Sequence, residues 1–543
     1  MSDPAVMVKT RAGSRARTHI FLTSLPQLGD PLATEHMATE QMTTEQMTTG
    51  TVRARQSVLS PEEGRVVWLL LAAAFVAILN ETTMGVAIPH LIGDLGITAV
   101  AAQWLTTAFM LTMAVVIPIT GFLLRRFTTR QVFIAAMSLF SLGTLTALLS
   151  PGFEVLLVAR VVQASGTAIM MPLLMTTLMT IVPPHARGRM MGRVSIVMSL
   201  APAIGPTMSG FLLDTLSWRW IFGIVLPIAL VALAMGARWI HNLGQTTRAP
   251  IDVLSIILSA FGFGGLVYGL SQIGGAQSHG GTAAEAAAQS LSTVSLIVSL
   301  SVGVAALALF VWRQLLLQRA DDALLDLRVF RSGNFSLSIA QMALLSMAFF
   351  GTITVLPLYM QGVLGISPLE TGLAVLPGSL LMGLAGPVIG RVYDAQGTRV
   401  LLVPGSIIAI SMLWVFTTFD QNTTLWTIIP AQTALSLGLA LSFTPLFTAS
   451  LASLTPKFYA YGSAIVGTVQ QVAGAAGIAV MVTVMSGVTA AQRDAGVAEQ
   501  VAGAAGAHAA FLLSACVALP LLAGAFLIRK PADDLEGAAP PMH

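Results

Sequence analysis

Of the 543 residues, 55% are hydrophobic and 9% charged, far below the roughly 25% charge of soluble globular domains, so the chain reads as a membrane protein. Its formal net charge of +3 sits mostly in short loops and gives no reason to expect a nucleic-acid partner. The single cysteine, Cys516, rules out an intrachain disulfide and a cysteine-based metal cluster.

Residues 1–65 differ from the rest. Lys9, Arg11, Arg15 and Arg17 precede only the apolar stretch Ile20 to Leu22, shorter than the roughly 7 to 15 residues of a signal-peptide core. Between Thr34 and Thr48 a T-E-x-M unit recurs every five residues. That period suits neither a helix nor a strand, so the segment is expected to be a disordered cytoplasmic tail.

From Val66 onward, fourteen apolar runs of about 20 residues recur, each able to span ~30 Å of hydrocarbon as a helix. They centre near residues 79, 112, 138, 170, 203, 230, 261, 303, 346, 380, 410, 438, 474 and 518. The predicted fold class is an all-α polytopic membrane protein: an N-terminal six-helix bundle (66–242), two inserted helices (243–320), a C-terminal six-helix bundle (321–530) and a cytoplasmic tail (531–543). Short cytoplasmic loops carry excess Lys and Arg. Arg125, Arg126, Arg130, Arg187, Arg189, Arg193, Arg238, Arg248, Arg319, Arg328, Arg331, Arg391, Arg399, Lys457, Arg529 and Lys530 fall on one side, with Arg219 and Arg493 on the other. Both termini are therefore expected in the cytoplasm and the protein in the cell membrane.

The first helix contains L-N-E-T-T-M-G-V-A-I-P-H-L, Leu79 to Leu91, which puts Glu81 between Asn80 and Thr82 where hydrocarbon should surround it. A charge near the bilayer centre costs at least ~2.5 kcal/mol, so such groups usually face a bundle interior or a wet cavity and often serve transport. Glu81 reads either as a group that exchanges a proton and, ionised, receives a cation, or as a carboxyl hydrogen-bonded in the bundle or touching Arg160 for packing alone. The fourth helix carries L-V-A-R-V-V-Q-A-S-G, Leu157 to Gly166, with Arg160 and Gln163 on one face. Arg160 either tunes a carboxylate or holds an anion or water, or it snorkels to the outer surface beyond Pro151 and Gly152.

The fifth helix contains A-P-A-I-G-P-T-M-S-G, Ala201 to Gly210. Its Gly205, Pro206 and Gly210 favour close helix approach and a bent axis, so the stretch reads as a seal or pivot between halves or as ordinary small-residue packing. W-R-W-I-F, Trp218 to Phe222, is expected to anchor at the outer interface. The stretch joining the two inserted helices, Gly274 to Gln289, is Gly- and Ala-rich and expected to be mobile. In the thirteenth helix, V-Q-Q-V-A-G-A-A-G, Val469 to Gly477, sets Gln470 and Gln471 at mid-depth, for the cavity or for interhelical hydrogen bonding. The 26 Met and 24 Phe suit a plastic apolar pocket, although most are expected to face lipid or core.

An internal repeat orders these elements. L-G-I-T, Leu95 to Thr98, leads to Gly121 and Arg130, and 269 positions later L-G-I-S, Leu364 to Ser367, leads by the same intervals to Gly390 and Arg399. Two halves in the same orientation follow, an arrangement that forms substrate sites at the midplane between bundles.

These features together resemble the major facilitator superfamily, specifically its fourteen-helix drug:proton antiporter branch with its multidrug and lincomycin-resistance-like exporters. The resemblance covers about residues 66 to 530. In the first helix Leu79, Thr82, Val86, Ala87 and Pro89 match the branch pattern, with Asn80 where an Asp is usual and Gly85 where an Asn is usual. Only one half carries the acid, because the second-half counterpart of Glu81 is about Phe349. Arg160 and Gln163 resemble a family motif, and Gly205, Pro206 and Gly210 resemble the antiporter motif. Two loops resemble the superfamily's gating motif. The second copy, with Gly390, Asp394, Gly397 and Arg399, is complete, whereas the first, with Gly121, Arg126 and Arg130, has Arg125 in place of the acid and Thr128 in place of the second glycine. A carboxylate there is expected to meet a helix N-terminus or arginines and lock one access state. Topology alone is an equal account of the first loop's arginines.

No H-E-x-x-H occurs, and none of Lys9, Lys457 and Lys530 follows a glycine, so metalloprotease and P-loop chemistry are excluded and no enzyme is expected. The expected function is proton-coupled export of an amphipathic, cationic drug by alternating access. The cofactor expectation is none, with the proton gradient as energy source, and the expected partners are the substrate, protons and the bilayer around a monomer. The alternatives are an exporter of an amino acid, peptide or lipid and a non-transporting sensor.

Overall fold

A computed structural model of the chain describes residues 60–97, 99–242, 252–273 and 283–530. The T-E-x-M repeat, Arg248 and the C-terminal tail from 531 lie outside the described residues. In hydrocarbon a backbone must satisfy its own polar groups, so each apolar run closes into a helix. In chain order these are α1 (Pro61–Leu95), α2 (Ala99–Arg126), α3 (Thr129–Leu148), α4 (Phe153–Ile181), α5 (Arg187–Thr215), α6 (Arg219–Trp239), α7 (Val253–Ile273) and α8 (Ala283–Leu317). Then follow α9 (Gly333–Gly362), α10 (Pro368–Gln396), α11 (Arg399–Phe416), α12 (Leu425–Ala452), α13 (Tyr459–Asp494), α14 (Glu499–Ala518) and α15 (Pro520–Leu527).

Among the described residues, 14 helical stretches are long and apolar enough to cross a membrane, and α14 with α15 makes the last of them. Pro520 explains that break, since it has no N–H to continue the helix. Two boundaries differ from expectation. A capping box between Ser60 and Glu63 starts α1 at Pro61, so residues 61–65 belong to the helix and not to the tail. The helix α8 begins at Ala283, inside the stretch expected to be a mobile loop.

The repeat has a structural cause at its glycines. Gly96 caps α1 at φ +60°, and Gly365 turns the chain at φ +66° three residues past the end of α9, a conformation that costs glycine little. The two bundles meet along two seams, α5 against α10 and α2 against α13. Small residues line the first. A Cβ placed on Gly192 would lie 2.2 Å from Gly386 O, and one on Gly390 would lie 2.1 Å from Gly188 O. The arginine-bearing loops gather at this end of the molecule, called here the basic end.

The inserted helices cover the other seam, where α7 packs on both α2 and α13. Trp104 of α2 lies against Tyr268 of α7 with ring centroids 5.7 Å apart. At the basic end, Asp252 accepts hydrogen bonds from Arg313 Nε and Nη2 at 2.7 and 2.8 Å. Gln314 then joins the pair to the following segment, donating to Ser255 Oγ at 2.7 Å and accepting from Leu325 N at 3.1 Å. The same segment holds Asp321, which pairs with Arg328 and with Lys457 of the second bundle.

The hydrogen-bonded Arg313 guanidinium holds the Asp252 carboxyl below the usual carboxylate range. Stability from a lowered acid is present above the unfolded pKa and lost as pH falls through the folded one. Asp252→Asn is therefore expected to lower thermal stability by ~1 kcal/mol at pH 7. The gap between variant and natural protein should close as pH drops below about 4, which melting curves across pH 3–8 will show.

Candidate functional site

Between the bundles lies a cavity of about 350 Å³. Its lining divides by half. The first bundle contributes Glu81, Thr82 and five methionines (Met113, Met170, Met171, Met175, Met198), and the second contributes Met382, four phenylalanines (Phe349, Phe350, Phe443, Phe447), Gln470 and Gln471.

The structure separates the residues expected to act together. Glu81, Thr82, Gln470 and Gln471 line the cavity, whereas Asn80, Arg160 and Gln163 do not. One step along a helix turns a side chain by about 100°, and this carries Asn80 into the packed bundle, fully buried, with both amide atoms unpartnered among the described residues. Arg160 is 1% exposed, so it does not snorkel. It lies over the Phe109 ring at 4.1 Å, and its Nη1 donates to Gln163 Oε1 at 2.6 Å. Gln163 Nε2 donates in turn to Thr144 Oγ1 at 2.8 Å. No ion pair joins Glu81 to Arg160 among the described residues, although Glu81 is the charge that bears most on Arg160.

The helix α5 holds the Glu81 turn in place. A Cβ on Gly205 would fall 2.2 Å from Thr82 Oγ1, so only glycine lets α5 approach α1 here. Four residues on, Ser209 Oγ donates to Thr83 O at 2.9 Å. Gly210 has no atom within 4 Å of such a Cβ, so the close approach expected of it does not occur. The side chain of Pro206 lies outside the described residues. Of W-R-W-I-F, Trp220 is 51% exposed but Trp218 is a core residue at 1%, so only the former is free to anchor at an interface.

The two loops that resemble a gating motif make different contacts at the basic end. At the end of α10, Asp394 accepts the backbone N–H of Gly188 at 2.7 Å and of Arg189 at 2.8 Å. It thus caps the N-terminus of α5, where unpaired amides and the helix dipole favour an anion. Gly397 ends α10 at φ +83°, while its counterpart Thr128 forms a capping box with Gln131 at the start of α3 and needs no glycine. In the first copy, Gly121 would meet Ala460 O at 3.2 Å. There Arg125 Nη1 donates to Tyr461 Oη at 2.6 Å, and Tyr461 donates to Ala323 O at 3.1 Å. Arg126 lies over Phe127 at 6.0 Å, and Arg130 and Arg399 are exposed. Sequence reasoning missed the seam glycines Gly188, Gly192 and Gly386, although their four-residue spacing was a readable signal of close helix approach.

Two bundles of duplicated topology that pack backbone to backbone at one end and enclose a mostly apolar cavity lined by one carboxylate have the architecture of a membrane transporter. Residues 70–478 match the sequence pattern of the Major Facilitator Superfamily, and the chain belongs to that family. Among its relatives, the uncharacterized MFS-type transporter YcnB of Bacillus subtilis (strain 168) is 41% identical over 471 residues, 87% of this chain and 96% of that protein. The lincomycin resistance protein LmrB of the same organism is 40% identical over 468 residues, 85% of this chain and 95% of that protein. The fold is shared with the proton:xylose symporter XylE, with a TM-score of 0.58 and 13% identity over 88% of this chain and 99% of that one. The chain is thus a multi-pass transporter and not an enzyme.

Two outcomes are expected from this packing. Gly205→Ala should cost ~1–3 kcal/mol of thermal stability and slow transport by displacing Thr82, whereas Gly210→Ala should be neutral or stabilise by up to ~1 kcal/mol. In a Cys516→Ser background, alkylation of Ser199→Cys from the basic side should rise severalfold when Asp394→Asn is added, as measured with a membrane-impermeant maleimide on vesicles of known sidedness.

Proposed function

We propose that the protein exports amphipathic cations from the cell in exchange for protons, by alternating access. The observation that carries this reading is Glu81, which lines the cavity among methionines and phenylalanines with no hydrogen-bond or ion-pair partner among the described residues. A carboxylate so placed has a use for either a proton or a cation, and it cannot hold both. The kinship with lincomycin resistance proteins supports a drug as the cargo.

In this reading the basic end is cytoplasmic, as loop arginines favour. With that end shut, Glu81 takes a proton from outside. The bundles then rock about the cavity, the proton leaves to the cytoplasm, and the ionised carboxylate receives the cation. Occupancy by one excludes the other, so proton and substrate affinities are reciprocally coupled. Arg160, locked to Gln163 and stacked on Phe109, is a fixed positive charge beside this step and not a substrate ligand. Gln470 and Gln471 offer uncharged donors and acceptors to the substrate.

The test is ethidium uptake into inverted vesicles with an acidic lumen, for the natural protein and for Glu81→Gln. Uptake should collapse to the gradient-free background in the variant. Uptake that survives in Glu81→Gln with unchanged pH dependence removes Glu81 as the coupling group. A well-folded natural protein that moves no such cation points to a neutral or anionic metabolite instead.

A further inference from the structure

Resting on the cation-export reading, we propose that Phe349, held between Phe350 and Phe443, forms an aromatic subsite that selects cations bearing a flat aromatic group. Four observations converge on it. All four cavity phenylalanines come from the second bundle, whereas Glu81 and five of the six methionines come from the first. The cavity therefore has a charged, pliable wall and a rigid aromatic one. Phe349 is the second-half counterpart of Glu81 when counted back from the paired prolines Pro357 and Pro89, and the 269-residue offset of the repeat gives its neighbour Phe350, so the repeat sets the Phe349–Phe350 pair in the second bundle where the first has Glu81.

The Phe349 ring is fixed from two sides. It meets Phe350 with centroids 5.0 Å apart at 62° and Phe443 with centroids 5.8 Å apart at 75°, the edge-to-face geometry that aromatic quadrupoles favour. The backbone beneath is equally constrained. A Cβ on Gly474 would lie 2.9 Å from the Phe350 ring, and one on Gly477 would lie 2.1 Å from Met347 O. The glycines of α13 thus let α9 approach closely enough to set both rings at the cavity surface, and Phe349 remains partly exposed there. A fixed π face offers stacking to a planar ring and a cation–π contact to its charge. Flexible methionines reshape around whatever is bound and discriminate little.

The experiment compares ethidium with tetrapentylammonium, a cation of the same charge without a ring, as transported substrates in inverted vesicles. Phe349→Leu should raise the KM for ethidium about fivefold more than that for tetrapentylammonium, and Phe349→Tyr should restore the natural ratio. Phe443→Leu should shift the ratio in the same direction, which keeps the test open if Phe349→Leu fails to fold. Equal losses for both cations, or an unchanged ratio, overturn the subsite while leaving cation export intact. A natural protein that moves tetrapentylammonium but not ethidium does the same. A natural protein that moves neither cation overturns the export reading and the subsite with it.

Discussion

A carboxyl at mid-depth in a membrane protein is the constraint on which the remaining architecture depends. Exposed to lipid it would cost ~2.5–3.5 kcal/mol or more, and buried without partners it would cost more still. Glu81 avoids both by facing a cavity between bundles. The cavity requires that the bundles part at this height yet adhere firmly below it, and the seam of Gly188, Gly192, Gly386 and Gly390 supplies the adhesion by bringing α5 and α10 into backbone contact. The same helix, α5, presses Gly205 against Thr82 beside the acid. One helix therefore carries the inter-bundle seal at one end and the support of the charged turn further along.

Duplication built the frame, and the two copies then diverged at particular positions. Where the first bundle has Glu81 the second has the Phe349–Phe350 pair, and the two loop copies differ in the same way, with Arg125 opposite Asp394. Asp394 binds the amide end of a helix, which an arginine cannot do, since its guanidinium has donors only. Arg125 finds an acceptor in Tyr461 Oη instead and lies 5.1 Å from the centre of that ring. Each departure from the repeat is thus accompanied by a changed partner, so the first copy is a different closure and not a degenerate one.

Most of the frame was legible because a bilayer allows few solutions. A run of about 20 apolar residues can only be a helix, the repeated L-G-I marks left-handed glycines in the turns that follow two helices, and arginines mark one face. Side-chain partnerships were not. The pairing of Asp252 with Arg313 spans 61 residues and has no local spacing to announce it. Adjacent Asn80 and Glu81 are equivalent in composition, and only helical rotation against α4 and α5 decides which one reaches the cavity. Trp218 and Trp220 share a motif, yet two residues turn one into the core and the other outward. The Pro520 break fell inside an uninterrupted apolar run, where hydropathy gives no signal.

The inserted helices acquire a mechanical meaning from the bonds at their basic end. Their connecting segment is fastened to the second bundle through Asp321 and Lys457 and through Ala323 and Tyr461, and Tyr461 is also the group that Arg125 of the first bundle holds. If α2 is to leave α13, the Arg125 bond must break while the others need not. The inserted pair then stays with the second bundle at this end, although α7 packs on both α2 and α13 along its length. In the proposed alternating-access cycle, opening the basic end would slide α2 along α7, across contacts such as Trp104 with Tyr268. In the proposed cycle the inserted helices stay with the second bundle on one side, and on the other the glycine seam of α5 and α10, held by Asp394, is the contact that must part.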